Sequence, residues 1–532
     1  MQKCSLPNHA STPLSSTRPL SCSSQLPTPH SKLLMTRSSG ILLHPTSLPS
    51  PFGIGDLGRD AYALIDFLHE SKQKYWQILP LGPTGYGNSP YMCYSAIAGN
   101  PLLISPVKLL EDNLLTPAEL ENLPTFPTHK VDFPLAIEVK TKLFHIAFER
   151  FQSFADKDHK TNFDNFCHSQ IYWLDDYALF MAVREAHGDK SWHHWEPDLV
   201  KREPIALIHW QNQLKHQISY HKFIQFKFFE QWSALRRYAH EHEVEIIGDI
   251  PIYVAHDSAD VWANQEFFEL DPDTSEPALM AGVPPDYFSE TGQLWGNPVY
   301  HWENLAHTQF NWWIQRFESL LKLVDVIRVD HFRGFQAFWA VEQGETTAID
   351  GRWIKAPGAD LFATIQQKWG RLPILAEDLG VITPDVEALR DQFGFPGMKV
   401  LQFAFGSDNG NPFLPFNHAP NFVVYTGTHD NDTSVGWFEK LDSVERDRFL
   451  LYAGGICTAG VHWDLIRLAM TSVANIAIFP LQDVLGLGGN ARMNFPGVAE
   501  GNWEWRYDPA VLNEPLALRL KNLTLICGRG IN

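Results

Sequence analysis

The amino-acid sequence predicts a (β/α)8 barrel, and two patterns predict it. Eight short apolar, β-branched runs are spread along the chain, and helix-period stripes of apolar residues fall between several of them. The runs are continuous rather than alternating, which marks strands buried on both faces, as in a parallel sheet. A doubly wound open sheet is the alternative, and eight strands with intervening helices favour the barrel.

The elements follow in order. Residues 1 to about 38 are rich in Ser, Thr and Pro, with Lys3, Arg18, Lys32 and Arg37 as their only charges; the first acidic residue is Asp56. An acid-poor, Ser-rich leader has the composition of an organelle transit peptide. The plainer alternative is an extension upstream of a start near Met35. Either way it stands outside the fold and leaves 39–532 as the barrel. The first strand is expected over 40–44 (GILLH). Ala61, Leu64, Ile65 and Leu68 then make an i, i+3, i+4, i+7 stripe with Asp60 as its N-cap. The second strand is 75–81 (YWQILPL). Roughly 160 residues separate it from the third, far more than a connection needs, so about 86–243 reads as an inserted subdomain, helical over 166–186. Ile224, Phe228, Trp232 and Leu235 line a helix leading into the third strand, 245–249 (EIIGD). A second long connection, about 258–310, is rich in Pro, Gly and aromatics and reads as an ordered functional loop. Trp313, Phe317, Leu320 and Leu321 line the helix before the fourth strand, 326–330 (VIRVD). The remaining strands are 373–377 (PILAE), 399–405 (KVLQFAF), 422–426 (FVVYT) and 475–480 (NIAIFP).

Charge narrows the function classes. Lys+Arg at 42 against Asp+Glu at 61 gives −19, which repels nucleic acid and anionic membrane and suits a neutral or cationic ligand. No apolar run approaches the ~18–20 residues of a membrane span. The six cysteines are scattered without CxxC or CxxH spacing, as in a reduced intracellular protein. Eighteen Trp and fifteen Tyr suit sugar faces, although most of them are expected to fill the core.

In a barrel the active groups sit at the C-terminal ends of strands. Those ends carry Asp249, then Arg328, Asp330 and His331, then Glu377 and Asp378, then His429 and Asp430. One such acid, Asp378 for example, is commonly a helix N-cap; carboxylates from four strands aimed at one mouth are seldom all structural. A metal site fits poorly, because each His adjoins an Asp and neighbours on a strand point to opposite sides. An isomerase on this fold usually adds a Lys or a phosphate site. Glycoside chemistry needs one carboxylate as nucleophile and another as proton donor. Arg328 shares a face with Asp330 and would keep it ionised. Glycosyl transfer fits best.

The residues then carry a specific resemblance. LLHPTSLPSPFGIGDLG, WQILPLGPTGYGNSPYMCYSAIAGNP, GDIPIYV, AGVPPDYFSETGQLWGNPVY, RVDHFRG, AEDLG, FPGMKVLQFAF, YTGTHDN and ARMNFPG with GNWEWR occur in that order. From about Gly40 onward the chain resembles glycoside hydrolase family 77, the amylomaltases. The resemblance implies an α-amylase-like (β/α)8 barrel with no metal and no cofactor. It implies Asp330 as nucleophile, Glu377 as general acid/base and Asp430 as the carboxylate that binds the distorted sugar. Arg328, His331, His429 and Asp249 would line the same subsite, with Tyr91 stacking beneath the sugar. Tyr86 resembles a tyrosine of a secondary glucan groove, and Trp295 lies in a loop resembling one that folds over bound glucan. Asn88 departs from the Asp common in the family.

The reaction so implied moves an α-1,4-glucan segment (from maltooligosaccharides, amylose, glycogen or starch) to the 4-OH of an acceptor glucan or glucose. The rivals are an α-glucan hydrolase using the same carboxylates and a non-catalytic glucan-binding barrel, the latter disfavoured by the intact acids. The blander readings make Arg328 and Asp330 a structural pair, Tyr86 a brace for its turn and Trp295 lid packing. The location implied is cytoplasmic, or the plastid stroma if residues 1–38 are a transit peptide.

Overall fold

The computed structural model describes residues 36–285, 289–498 and 500–530. Most of the leader and residues 286–288 of the second long connection therefore lie outside the described residues. All eight apolar runs form strands: β1 (Ser38–Leu42), β2 (Tyr75–Gln77), β3 (Glu245–Ile250), β4 (Val326–Val329), β5 (Ile374–Ala376), β6 (Gly397–Val400), β7 (Phe422–Tyr425) and β8 (Ile476–Pro480). They form one parallel sheet in the order β6-β7-β8-β1-β2-β3-β4-β5. At the seam the Ala376 N–H donates to the Pro396 carbonyl at 2.8 Å, and the Met398 N–H donates to Asp378 Oδ1 at 2.7 Å. The sheet thereby curls into a (β/α)8 barrel.

Successive residues of each strand feed two different cores, which is why the runs are apolar throughout. Ile247, Val326, Leu375, Val423 and Ile478 point into the barrel. Their neighbours Ile246, Ile327, Ile374, Val424 and Ala477 pack outward under the helices. Full burial contributes about 1.5–3 kcal/mol for a large side chain, and each strand contributes such side chains to both cores.

Ala61, Leu64, Ile65 and Leu68 are buried in the helix Arg59–Glu70, but its N-cap is Gly58 and Asp60 lies in the first turn. Asp56 Oδ1 accepts the Gly58 N–H at 2.9 Å and so starts the helix earlier than Asp60 would. Ile224, Phe228, Trp232 and Leu235 are all buried in Lys215–Glu241, the helix that leads into β3. Trp313 and Phe317 are buried in Asn311–Leu321, whereas Leu320 and Leu321 are only half-buried. The sixth run is strand only over Gly397–Val400; Leu401–Phe403 is a 3-10 turn. The apolarity continues past the barrel rim, so the pattern alone overshoots the strand end.

Between β2 and β3 the chain forms the helices Phe133–Phe154, Lys157–Ser169, Ile171–Ala186 and Pro204–Gln213. The stretch 166–186 is thus two helices, with Gln170 capping both ends of the break. A four-stranded antiparallel sheet stands beside the barrel, ordered Gln293–Pro298, Leu279–Val283, Ala337–Glu342, Gly351–Lys355. It zips the long connection after β3 to the one after β4. At the chain's beginning the fold reaches further back than residue 39. Ser38 is in β1, and Arg37 donates to the carbonyls of Cys527, Ser472 and Met470. Among the described residues no helix is long and apolar enough to cross a membrane.

Candidate active site

The acids meet where β3, β4, β5 and β7 end. Asp249 and Arg328 are register partners on β3 and β4, and both are buried. Arg328 Nη1 donates to Asp249 Oδ2 at 2.7 Å and to Asp330 Oδ1 at 2.8 Å. Asp330 is the first residue beyond β4, fixed by its N–H donating to the Ile250 carbonyl at 3.1 Å. One guanidinium nitrogen thus fixes two carboxylates from neighbouring strands, and the pair opens onto the mouth rather than closing on itself.

Glu377 follows β5, and its N–H continues the ladder to the Val329 carbonyl at 3.0 Å. Its Oε2 accepts the His331 N–H at 2.7 Å and its Oε1 the Leu379 N–H at 2.9 Å. His331 offers that amide from a left-handed backbone, φ 47°, which costs a non-glycine residue about 1 kcal/mol or more. Burial pushes the Glu377 carboxyl up to about 7; Arg328 opposes this and the charge on Asp330 adds to it. At neutral pH the group is therefore divided between acid and base, as a proton shuttle needs to be. Burial likewise raises Asp249 to about 6 against the pull of Arg328. Burial lowers the His331 imidazole to about 4, so it stays neutral near pH 7.

Asp430 lies in the loop after β7. His429 Nε2 stands 3.2 Å from its Oδ2, and Asn494 Nδ2 donates to its Oδ1 at 2.6 Å. Burial raises this carboxyl, but His429 and Asn494 outweigh it and hold the group well below the ordinary carboxylate range. The divergence expected of neighbours on a strand does not apply to His429 and Asp430. Both residues lie beyond Tyr425, the last residue of β7, where the chain bends and no strand alternation applies.

Tyr91 joins the two sides of the mouth. Its hydroxyl donates to Asp249 Oδ2 at 2.8 Å, and its ring stacks on His429 with centroids 5.3 Å apart and planes at 16°. Trp503 leans against the same two rings at 6.1 and 6.0 Å. Trp295, half-buried in Gln293–Pro298, meets the His331 ring edge-on at 4.9 Å and 85°. Tyr86 stands apart on a 3-10 turn, 75% exposed. Asp378 is not a helix cap, since the following helix is capped by Thr383; its carboxylate pairs with Arg390 in the β5–β6 seam.

Sequence reasoning assigned no role to Asn494, Arg492 or Trp503, although ARMNFPG and GNWEWR contain them. Arg492 donates to the Asp430 carbonyl at 2.5 Å. Asp249 Oδ1 is buried with no hydrogen-bond partner among the described residues. No group of three or more His, Cys, Asp or Glu among the described residues is arranged to hold a metal ion. The arrangement supplies a carboxylate paired with Arg328, a carboxyl raised to about 7, and a third carboxylate held well below the ordinary range.

The chain's relatives agree in kind. A family profile described as 4-alpha-glucanotransferase matches residues 43–512. A 4-alpha-glucanotransferase of Synechocystis sp. is 57% identical over 94% of this chain and 99% of its own. A chloroplastic/amyloplastic 4-alpha-glucanotransferase of Solanum tuberosum is 46% identical over 92% of this chain and 85% of its own. Among solved structures, an amylomaltase from Streptococcus agalactiae in complex with acarbose superposes with a TM-score of 0.90. It is 39% identical and covers 93% of this chain and 100% of its own.

Proposed function

The chain belongs to the 4-alpha-glucanotransferase family, glycoside hydrolase family 77, whose reaction moves α-1,4-glucan segments between chains, and from that premise we propose a retaining double displacement on Asp330, Glu377 and Asp430. In the first half, protonated Glu377 gives its proton to the glycosidic oxygen as the Asp330 carboxylate attacks the anomeric carbon. The cleaved chain leaves with a free 4-OH, and a β-glycosyl ester remains on Asp330. In the second half, ionised Glu377 takes the proton from the acceptor's 4-OH, which attacks the ester and restores the α-linkage. Glu377 ends protonated and Asp330 free, so the cycle closes. Asp430, charged throughout, holds the sugar hydroxyls and favours the positive charge that develops at the anomeric carbon. Tyr91 supplies the stacking floor, with Arg328, Asp249, His331 and His429 around the same sugar.

The observation that carries this reading is the division of labour among the acids. Arg328 holds one carboxylate, burial brings a second, oriented by two backbone amides, up to about 7, and His429 with Asn494 keep a third ionised. The substrates are α-glucan oligosaccharides and polymers, with glucose serving as a minimal acceptor. Trp295 closes one side, and Tyr86, exposed outside the mouth, offers a second contact for a long chain. The leader's composition and the plastid name of the Solanum tuberosum relative favour a plastid; without a transit peptide the location is the cytoplasm. Pure maltotriose tests the reading: a ladder of longer maltooligosaccharides with free glucose supports it. Maltose and glucose alone would instead make the chain a hydrolase on the same residues.

A further inference from the structure

One buried acid near the mouth has no part in the double displacement. Asp483, 1% exposed, lies in the helix Leu481–Leu485 immediately after β8. Its Oδ2 accepts the Thr426 hydroxyl at 2.5 Å and its Oδ1 accepts the Ser434 backbone N–H at 2.6 Å. Thr426 is the first residue past β7, and Ser434 opens the helix Ser434–Lys440. Between these two anchors run residues 427–433, which carry both His429 and Asp430.

The loop's internal bonds do not duplicate this clamp. Asn431 Oδ1 accepts the Thr428 N–H and hydroxyl, each at 2.9 Å, and so shapes the tip. Gln402 Nε2 donates to the Asp432 carbonyl at 2.8 Å, and Arg492 donates to the carbonyl of Asp430. Each of these acts at one point in the middle. Among the described residues only Asp483 bridges the two ends, and it does so from the helix that follows β8. A fully buried carboxylate is expensive to keep, and Asp432 nearby carries the same charge. An apolar residue would fill that space at less cost but could accept neither bond.

We propose that Asp483 is a positioning residue: by pinning Thr426 and Ser434 it sets where the Asp430 carboxylate meets the sugar. The inference rests on the role given above to Asp430. A misplacement of about 1 Å at a reacting site costs on the order of 100-fold. A group that acts in the transition state loses kcat and kcat/KM together.

The test compares Thr426→Val, Asp483→Ala, Asp483→Asn and Asp430→Asn with the parent on maltotriose. Rates are expressed per competent active site, counted by covalent trapping with a 5-fluoro glycosyl fluoride. Thr426→Val removes one donor and should lower kcat about 5–10-fold; Asp483→Ala should lower it about 100-fold, with KM little changed. Asp483→Asn keeps an acceptor for Ser434 and should recover most of the loss. Combining Thr426→Val with Asp483→Ala should add nothing to the latter, since both break one clamp. A parental kcat per trapped site in Thr426→Val and Asp483→Ala would overturn the proposal and leave Asp483 a purely stabilising residue. If Asp483→Ala fails to fold, an unchanged Thr426→Val overturns it alone. Asp430→Asn separates the two layers: its collapse with the clamp variants unaffected defeats only the positioning role, whereas its parental turnover would defeat the role of Asp430 and the inference together.

Discussion

Replacing Glu377 with Gln should cripple turnover and yet make the fold gain stability relative to the parent as pH rises. Folded Glu377 sits at about 7 because burial resists its charge, against 4.5 for the free side chain. Here folding raises the pKa of an acid. Well below pH 4.5 the carboxyl is protonated in both states and carries no penalty. Above that, the unfolded chain ionises first, and the parent loses stability until pH passes about 7. At 1.36 kcal/mol per unit, the parent should lose roughly 2–3 kcal/mol between pH 5 and 8 that the Gln variant keeps. The variant also has a fixed cost. Glu377 accepts the His331 and Leu379 amides on two oxygens, and an amide side chain has only one, so one N–H is stranded at about 1–3 kcal/mol. The prediction therefore concerns the slope, in which that pH-independent cost cancels. Thermal unfolding at pH 5, 6, 7 and 8 should show the variant's Tm gaining on the parent's by about 2–3 °C across the range. Parallel curves would mean that Glu377 titrates normally and is not the proton donor. The same variant should lose about 10²–10⁴-fold on maltotriose but far less on an activated glycosyl fluoride, whose leaving group needs little protonation.

Three further outcomes follow. Asp330→Asn keeps the shape but removes the attacking charge held by Arg328, so maltotriose turnover should fall by several orders of magnitude; a loss under tenfold would contradict it as nucleophile. On the proposal that Trp295, edge-on to His331, excludes water and aligns the acceptor, Trp295→Ala should raise the ratio of reducing ends gained to glucose transferred; both rates falling equally would reduce it to packing. Deleting residues 1–34 should leave Tm and activity almost unchanged, because Arg37 and Ser38 remain to tie β1 to the chain's end; a loss of several degrees would show that the leader docks.

The barrel was legible because each strand feeds two cores and so writes an unbroken apolar run. What escaped were features set by partners distant in sequence. The end of β6 is invisible in KVLQFAF, where the apolar pattern runs on after the sheet stops. The side sheet escaped because QLWGNP and GRWIK carry Gly or Pro and no clean alternation; they become strands only by pairing with Leu279–Val283 and Ala337–Glu342. Asp378 looked like a cap because a helix follows, but Arg390 returns from within that helix to claim it. At the site, Asp330, Glu377 and Asp430 could be named from strand ends and family motifs. Asn494 and Asp483 could not: each is one polar residue whose partner is distant in sequence, and only folding brings Asn494 to the Asp430 carboxylate and Asp483 to the two ends of the 427–433 loop.

A glycosyl–enzyme ester at Asp330 is the central intermediate of the proposed reaction, and trapping tests it most directly. Incubation with a 5-fluoro glycosyl fluoride, followed by proteolysis and mass spectrometry, should place the added sugar on the peptide containing RVDHFRG, at Asp330. In Asp330→Asn that label should vanish. A label on Glu377 or Asp430, or full turnover by an enzyme that accumulates none, would contradict the mechanism.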